Sequence, residues 1–184
     1  MSVCFPAPHL CACTMIDVQE RLCRAIPDFG FYEANMNRML RVAANFGVDV
    51  LVTEQYPQGL GATMPGLAEE FTSRTQVFPK TAFCCWGCTD YAVAIEALAP
   101  TALVVFGMET HICVKQTACK ALERGFRVII PVDAVCSRKI LEREVALQTL
   151  REKGADLTTV EELTFDWLRD AKHEAFREVS QLFR

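Results

Sequence analysis

TALVVFGMETHICVKQTACKALERGFRVIIPV, residues Thr101–Val132, consists of two apolar runs with a polar, helix-forming segment between them. The first run, rich in valine, is too short for a buried helix and stops at Gly107, which marks a turn. From there apolar and polar residues recur at helical spacing until Gly125, and glycine is the residue that commonly follows a helix C-terminus. RVIIPV then reads as a second buried strand. Two buried strands joined by a helix run parallel, because the crossover has to carry the chain back to the same end of the sheet. In this reading Cys113 falls in the first turn of the connecting helix, just past the carboxyl end of the strand.

The same alternation extends in both directions. HLCACTMI (His9–Ile16), DVLVTE (Asp49–Glu54) and TQVFPK (Thr75–Lys80) read as strands, and Tyr32–Phe46 and Tyr91–Leu98 as helices, the first ended by Gly47. Between them YPQGLGATMPG (Tyr56–Gly66) is a Gly- and Pro-rich loop. Downstream come a helix over Leu141–Lys153, a short strand over Ala155–Thr159 and amphipathic helical segments to Arg184. Repeated strand, helix, strand units predict an α/β protein, a three-layer α/β/α sandwich with a six-stranded parallel sheet, Rossmann-like in its winding. With 184 residues, 51% of them apolar, a single domain over residues 1–184 is expected.

Composition argues against several function classes. A net charge of -4 with no basic stripe gives no reason to expect nucleic acid as a partner. The longest apolar runs fall far short of the roughly 18 residues a membrane span needs, so no membrane partner is expected. The first arginine is Arg21; with neither a charged leader nor an Arg-rich transit segment in view, a cytoplasmic location is expected, with a mitochondrial one as the alternative. Ten cysteines without an export signal point to reduced, mostly buried thiols. Cys84, Cys85 and Cys88, with Cys11 and Cys13, look only superficially like a zinc cluster, since Cys11 and Cys13 lie within a strand and no second C-x-x-C follows. No metal and no cofactor are expected.

Parallel sheets bind ligands beyond the carboxyl ends of their strands, which singles out Asp17, Lys80 and Cys113. Each has a structural alternative: Asp17 as a helix cap, Lys80 as a solvated lysine, Cys113 as core. Their shared edge favours a site. A thiol becomes a good nucleophile as thiolate, and a helix N-terminus with Lys80 nearby is expected to lower the Cys113 pKa from about 8.5. Asp17 would take the thiol proton and return it to the leaving group, while backbone N–H groups at the helix start meet the oxyanion. This is the outline of an acyl-transfer site.

Three motifs, MIDVQERL (Met15–Leu22, with Asp17 and Gln19), PKTAF (Pro79–Phe83) and VVFGMETHICVKQTACKALERGFRVIIPVDAVCS (Val104–Ser137), resemble the isochorismatase-like cysteine hydrolases, which include the nicotinamidases. The likeness covers nearly the whole chain. It implies a catalytic set of Asp17, Lys80 and Cys113, an oxyanion hole from the backbone amides of Glu109 and Cys113, a cis peptide between Met108 and Glu109, a small-molecule substrate and a homo-oligomer. Where nicotinamidases carry a metal-binding D-x-H, this chain reads TEQYP (Thr53–Pro57), with Gln55 and Pro57 at the ligand places. The resemblance therefore implies no metal of that kind and weakens nicotinamide as a substrate. Cys113, which true isochorismatases lack, points to a carbonyl substrate, most simply an amide.

Gln19, Tyr56, Phe83 and Trp86 are candidate substrate-pocket residues, with core packing as the alternative for the aromatic ones. His111, two residues before Cys113, is a second candidate base, less well placed than Asp17. Two rival functions stand beside the hydrolase: a binding or scaffold protein without turnover, and a ribonuclease, a label carried by some mitochondrion-associated members of the family.

Overall fold

Runs of Val, Ile and other compact apolar residues become strands because they fill both faces of a sheet covered by helices. The computed structural model describes residues 5–184 and contains β1 (Cys11–Ile16), β2 (Asp49–Gln55), β3 (Thr75–Lys80), β4 (Ala102–Met108), β5 (Arg127–Pro131), β6 (Val135–Cys136) and β7 (Asp156–Thr158). Every pairing is parallel, in the order β3-β2-β1-β4-β5-β7, and β6 lies against β4. β1 and β4, the two central strands, are buried along their whole length.

The helices are α1 (Glu20–Cys23), α2 (Phe29–Asn45), α3 (Pro57–Leu60), α4 (Pro65–Ala68), α5 (Thr89–Leu98), α6 (Lys115–Glu123), α7 (Ile140–Glu152), α8 (Val160–Leu168) and α9 (Phe176–Val179). α2 packs with α4, α8 and α9, whereas α6 packs with α7 and with the turn before α5, so helices cover both faces of the sheet. The expected three-layer α/β/α arrangement is present. Met36, Met39 and Leu40 of α2 and Ala118 and Ala121 of α6 are among the core residues that seal it. Among the described residues no helix is long and apolar enough to cross a membrane.

From β1 the chain winds outward through β2 to β3, then crosses back to β4 on the other side of β1. The direction of winding therefore reverses between β1 and β4, and the crevice outside their carboxyl ends is the natural ligand site of such a sheet. Gly107 lets the two strands close there. It stands opposite Ile16, has φ 110°, and a Cβ built on it would lie 2.3 Å from the Ile16 carbonyl oxygen. Gly107→Ala is expected to cost about 2 kcal/mol of stability, through both the forbidden φ and the clash with backbone. Urea unfolding of the variant checks this; an unchanged midpoint would mean that β1 and β4 can part without penalty.

The structure departs from the sequence reading in four places, one of which is the Tyr56–Gly66 loop, where α3 and the start of α4 form. β1 begins at Cys11, because Pro8 opens a 3₁₀ turn over Pro8–Leu10. β6 adds a seventh strand: Pro131 cannot donate to a ladder, and after it a 3₁₀ turn carries the chain across to pair with Gly107 and Met108, beyond the reach of β5. Cys113 lies in a wide π-type turn, Thr110–Val114, and α6 starts only at Lys115.

Candidate active site

Asp17 follows β1 in a left-handed conformation, φ 54°, which aspartate tolerates better than most residues. Its amide donates to the Thr53 carbonyl at 3.0 Å and so ties the end of β1 to β2. Lys80 is the last residue of β3. Cys113 is held by the turn beyond β4, where the Glu109 carbonyl accepts the amides of Ile112 at 3.0 Å and Val114 at 3.2 Å. The peptide between Met108 and Glu109 is cis.

These three side chains meet. Lys80 Nζ donates to Asp17 Oδ2 at 2.7 Å, to Gln55 Oε1 at 2.7 Å and to the Ala82 carbonyl at 3.1 Å, which uses all three of its protons. Asp17 Oδ1 accepts the Thr53 hydroxyl at 2.7 Å, and the Asp17 charge acts on the nearby Cys113 thiol. All three are buried, with Asp17 1% and Cys113 7% exposed. Burial lifts the Asp17 carboxyl above its ordinary value, even though the Lys80 ammonium, the Thr53 bond and the neighbouring Cys113 thiol pull the other way.

The expectation of a lowered Cys113 pKa is corrected. Burial, and after it the Asp17 charge, pushes the thiol well above its ordinary value, and Lys80 offsets only part of that. Burial is the main reason; in addition, the ammonium expected to favour the thiolate is bonded to Asp17, and the first turn beside Cys113 is the wide one rather than regular α-helix. At rest the site therefore holds a neutral thiol beside a carboxylate–ammonium pair.

The remaining candidates divide. Glu109 directs its side chain away from this cluster to Arg138, whose amide and Nε both donate to Glu109 Oε1, at 3.1 and 2.8 Å. His111 Nδ1 is 3.0 Å from Ser137 Oγ, so its ring is engaged with Ser137. Gln19 is fully buried and spends its amide on backbone, giving Nε2 to the carbonyls of Gln55 and Gly61 and accepting the Gln55 amide at 2.7 Å. It braces the loop after β2 instead of facing a pocket. Tyr56 and Phe83 are 54% and 53% exposed in the segments that follow β2 and β3. Trp86 takes the core alternative: its ring packs edge-on against Tyr91 and lies beside Phe126, with Arg124 over it.

Gln55 and Pro57 do not fit a resident metal. Gln55 Oε1 is taken by Lys80 and its Nε2 donates to the Thr81 carbonyl at 2.7 Å, while Pro57 offers no side-chain donor. The nine described cysteines are free thiols, and among the described residues no group of three or more His, Cys, Asp or Glu side chains is placed to hold a metal ion. Gln55 as a partner of Lys80 was missed in the sequence, as were Thr53 and Arg138. The position of Gln55 two residues beyond Thr53, on the same face of β2, is the signal that could have found the first two.

Comparison with known proteins adds four findings. Residues 11–162 match the isochorismatase domain model. The isochorismatase domain-containing protein 1 of Danio rerio is 37% identical over 168 residues, 91% of this chain but 59% of that protein, so this chain spans about three fifths of that relative's length. Among solved structures, the MAR1 ribonuclease from Caenorhabditis elegans superposes with a TM-score of 0.91 at 33% identity, covering 96% of this chain and 91% of that one. The Escherichia coli YcaC gene product, described as an octameric hydrolase of unknown specificity, shares the fold with a TM-score of 0.92 at 22% identity, covering 100% of this chain and 91% of that one.

Proposed function

The chain belongs to the isochorismatase domain family, and from that premise we propose that it is a cysteine hydrolase cleaving a small amide or related C–N bond through a thioester on Cys113. The observation that carries this reading is the single buried cluster in which Lys80 Nζ bonds to the Asp17 carboxylate beside the buried Cys113 thiol. Cys113 Sγ attacks the carbonyl carbon as its proton passes to Asp17. The oxyanion that forms is met by the backbone amides of Glu109 and Cys113. As the C–N bond breaks, Asp17 gives the proton to the departing nitrogen. Water then attacks the thioester, again losing a proton to Asp17, and the acid leaves as Cys113 recovers its proton.

Lys80 explains how this runs in a buried site. Before transfer it balances the Asp17 carboxylate; after transfer it balances the thiolate, so the cluster keeps the same net charge throughout. A second proton acceptor at His111 is not needed, and its Nδ1 is engaged with Ser137.

The test is turnover of a panel of small amides, including nicotinamide, pyrazinamide and ureido acids, with ammonia or amine release as the readout. The name of the Caenorhabditis elegans neighbour favours one rival, RNA cleavage. A net charge of -4 offers no footprint for a phosphate backbone, and RNA cleavage by homogeneous protein that is lost in Cys113→Ala would be needed to prefer it.

A homo-oligomer belongs to the same proposal. Ile140, Leu141 and Val145 leave an apolar face of α7 exposed, and a second copy is the occupant favoured by the octameric YcaC relative. Light scattering is expected to give a multiple of 20.6 kDa. A monomer at micromolar concentration would sink this part of the reading.

A further inference from the structure

Behind Asp17, side chains from three other segments form one hydrogen-bonded line. The Cys85 amide donates to Thr117 Oγ1 at 3.1 Å, and the Thr117 hydroxyl donates to Cys85 Sγ at 3.3 Å. The Cys85 thiol reaches Thr53 Oγ1 at 3.8 Å, and the Thr53 hydroxyl donates to Asp17 Oδ1 at 2.7 Å. Thr53, Cys85 and Thr117 are all fully buried. Donor order follows from the ends of the line. Thr117 already accepts an amide proton and turns its own toward the sulfur, while Thr53 gives its one proton to a carboxylate and can only accept from Cys85.

We propose that Thr53, Cys85 and Thr117 are positioning residues that aim the Asp17 carboxylate and hold it ready to take the Cys113 proton. The line links α6, the loop before α5, β2 and the end of β1, so it fixes Asp17 against the element that follows Cys113. It also supplies a donor to the charged form of Asp17, which opposes the effect of burial. The titratable groups facing Asp17 are Lys80 from β3, Cys113 from the wide turn and Cys85 from the loop. Lys80 fills the Oδ2 side, which leaves Thr53 as the hydroxyl on Oδ1.

This inference rests on the reading of Asp17 as proton acceptor, and the test separates the two. Acrylamide alkylation of Cys113 in the full chain is followed by peptide mass spectrometry across a range of pH. The thiol proton has to leave as the sulfur–carbon bond forms, so the rate should fall on the acid side as Asp17 becomes protonated. Thr53→Val is expected to move that acid limb to higher pH and to slow labelling on it by about tenfold, the fold-change that matches loss of one hydrogen bond to a charged group. Thr53→Ser, which keeps the hydroxyl, should return the limb toward its original place. Cys85→Ala should shift it the same way by less, and it carries the test alone if Thr53→Val does not fold. If Asp17→Asn removes the acid limb but Thr53→Val and Cys85→Ala keep it where it was, the positioning role is overturned and the base stands. If Asp17→Asn leaves the limb in place, the base assignment itself fails, and the positioning role with it.

Discussion

Cys113→Ala is expected to lower hydrolysis of any amide the protein turns over by on the order of 10⁴-fold or more, while stability stays within about 1 kcal/mol of wild type. The two halves of that result come from different physics. The nucleophile and its base act as one unit, so removing the sulfur removes the covalent route altogether and leaves only binding and oxyanion stabilisation. Stability changes little because alanine keeps the backbone of the wide turn, and Asp17 retains its bonds from Thr53 and Lys80. Steady-state rates on the amide panel and a urea melt measure both halves on the same samples. Intact mass spectrometry of the wild type mixed with substrate should also catch a covalent adduct equal to the acyl group, absent from the variant. Equal turnover by the two proteins would remove Cys113 from the chemistry, and with it the thioester.

How far the sequence led can be judged from Asp17, Lys80 and Cys113 themselves. They could be picked out because a parallel sheet puts every strand's carboxyl end on one edge, so that position within a strand stands in for position in space. Pairing between them could not be read. Nothing local says that the ammonium of Lys80 ends on Asp17, 63 positions earlier in the chain, or that Cys113 is buried deeply enough to raise its thiol's pKa. Thr53, Cys85 and Thr117 were hidden for the same reason, since they touch only after β2, the loop before α5 and α6 have packed. Side-chain direction was the other blind spot. Trp86 is next to Cys85 in the sequence, yet the 3₁₀ turn over Cys85–Gly87 places the thiol behind the triad and the half-buried indole against Tyr91. Periodicity reports which face a residue occupies on a regular element and says little inside one short turn.

Lys80→Met is expected to cost about 3–5 kcal/mol of stability at neutral pH, the largest loss anticipated for any single change in the site. The pair it breaks is fully enclosed, with side-chain exposures of 0% for Lys80 and 1% for Asp17, so water cannot take over from the ammonium. Methionine fills most of the lysine stem's volume, which confines the loss to an unpaired buried carboxylate. Two consequences distinguish that cause from simple misfit. Asp17→Asn combined with Lys80→Met should recover much of the loss, because an uncharged pair leaves no buried ion to solvate. The loss in Lys80→Met should also depend on pH. Asp17 already has a raised pKa in the folded wild type, and without Lys80 it rises further, above its value in the unfolded chain. A carboxyl with a raised folded-state pKa favours folding when protonated, and that advantage fades as pH rises through the folded-state pKa. The gap to wild type should therefore be narrow in mild acid and widest at neutral pH and above. Urea midpoints of wild type, Lys80→Met and the double variant across that range decide it. A single variant within about 1 kcal/mol of wild type at neutral pH, with no narrowing in acid, would mean that the pair stores far less electrostatic energy than its burial implies.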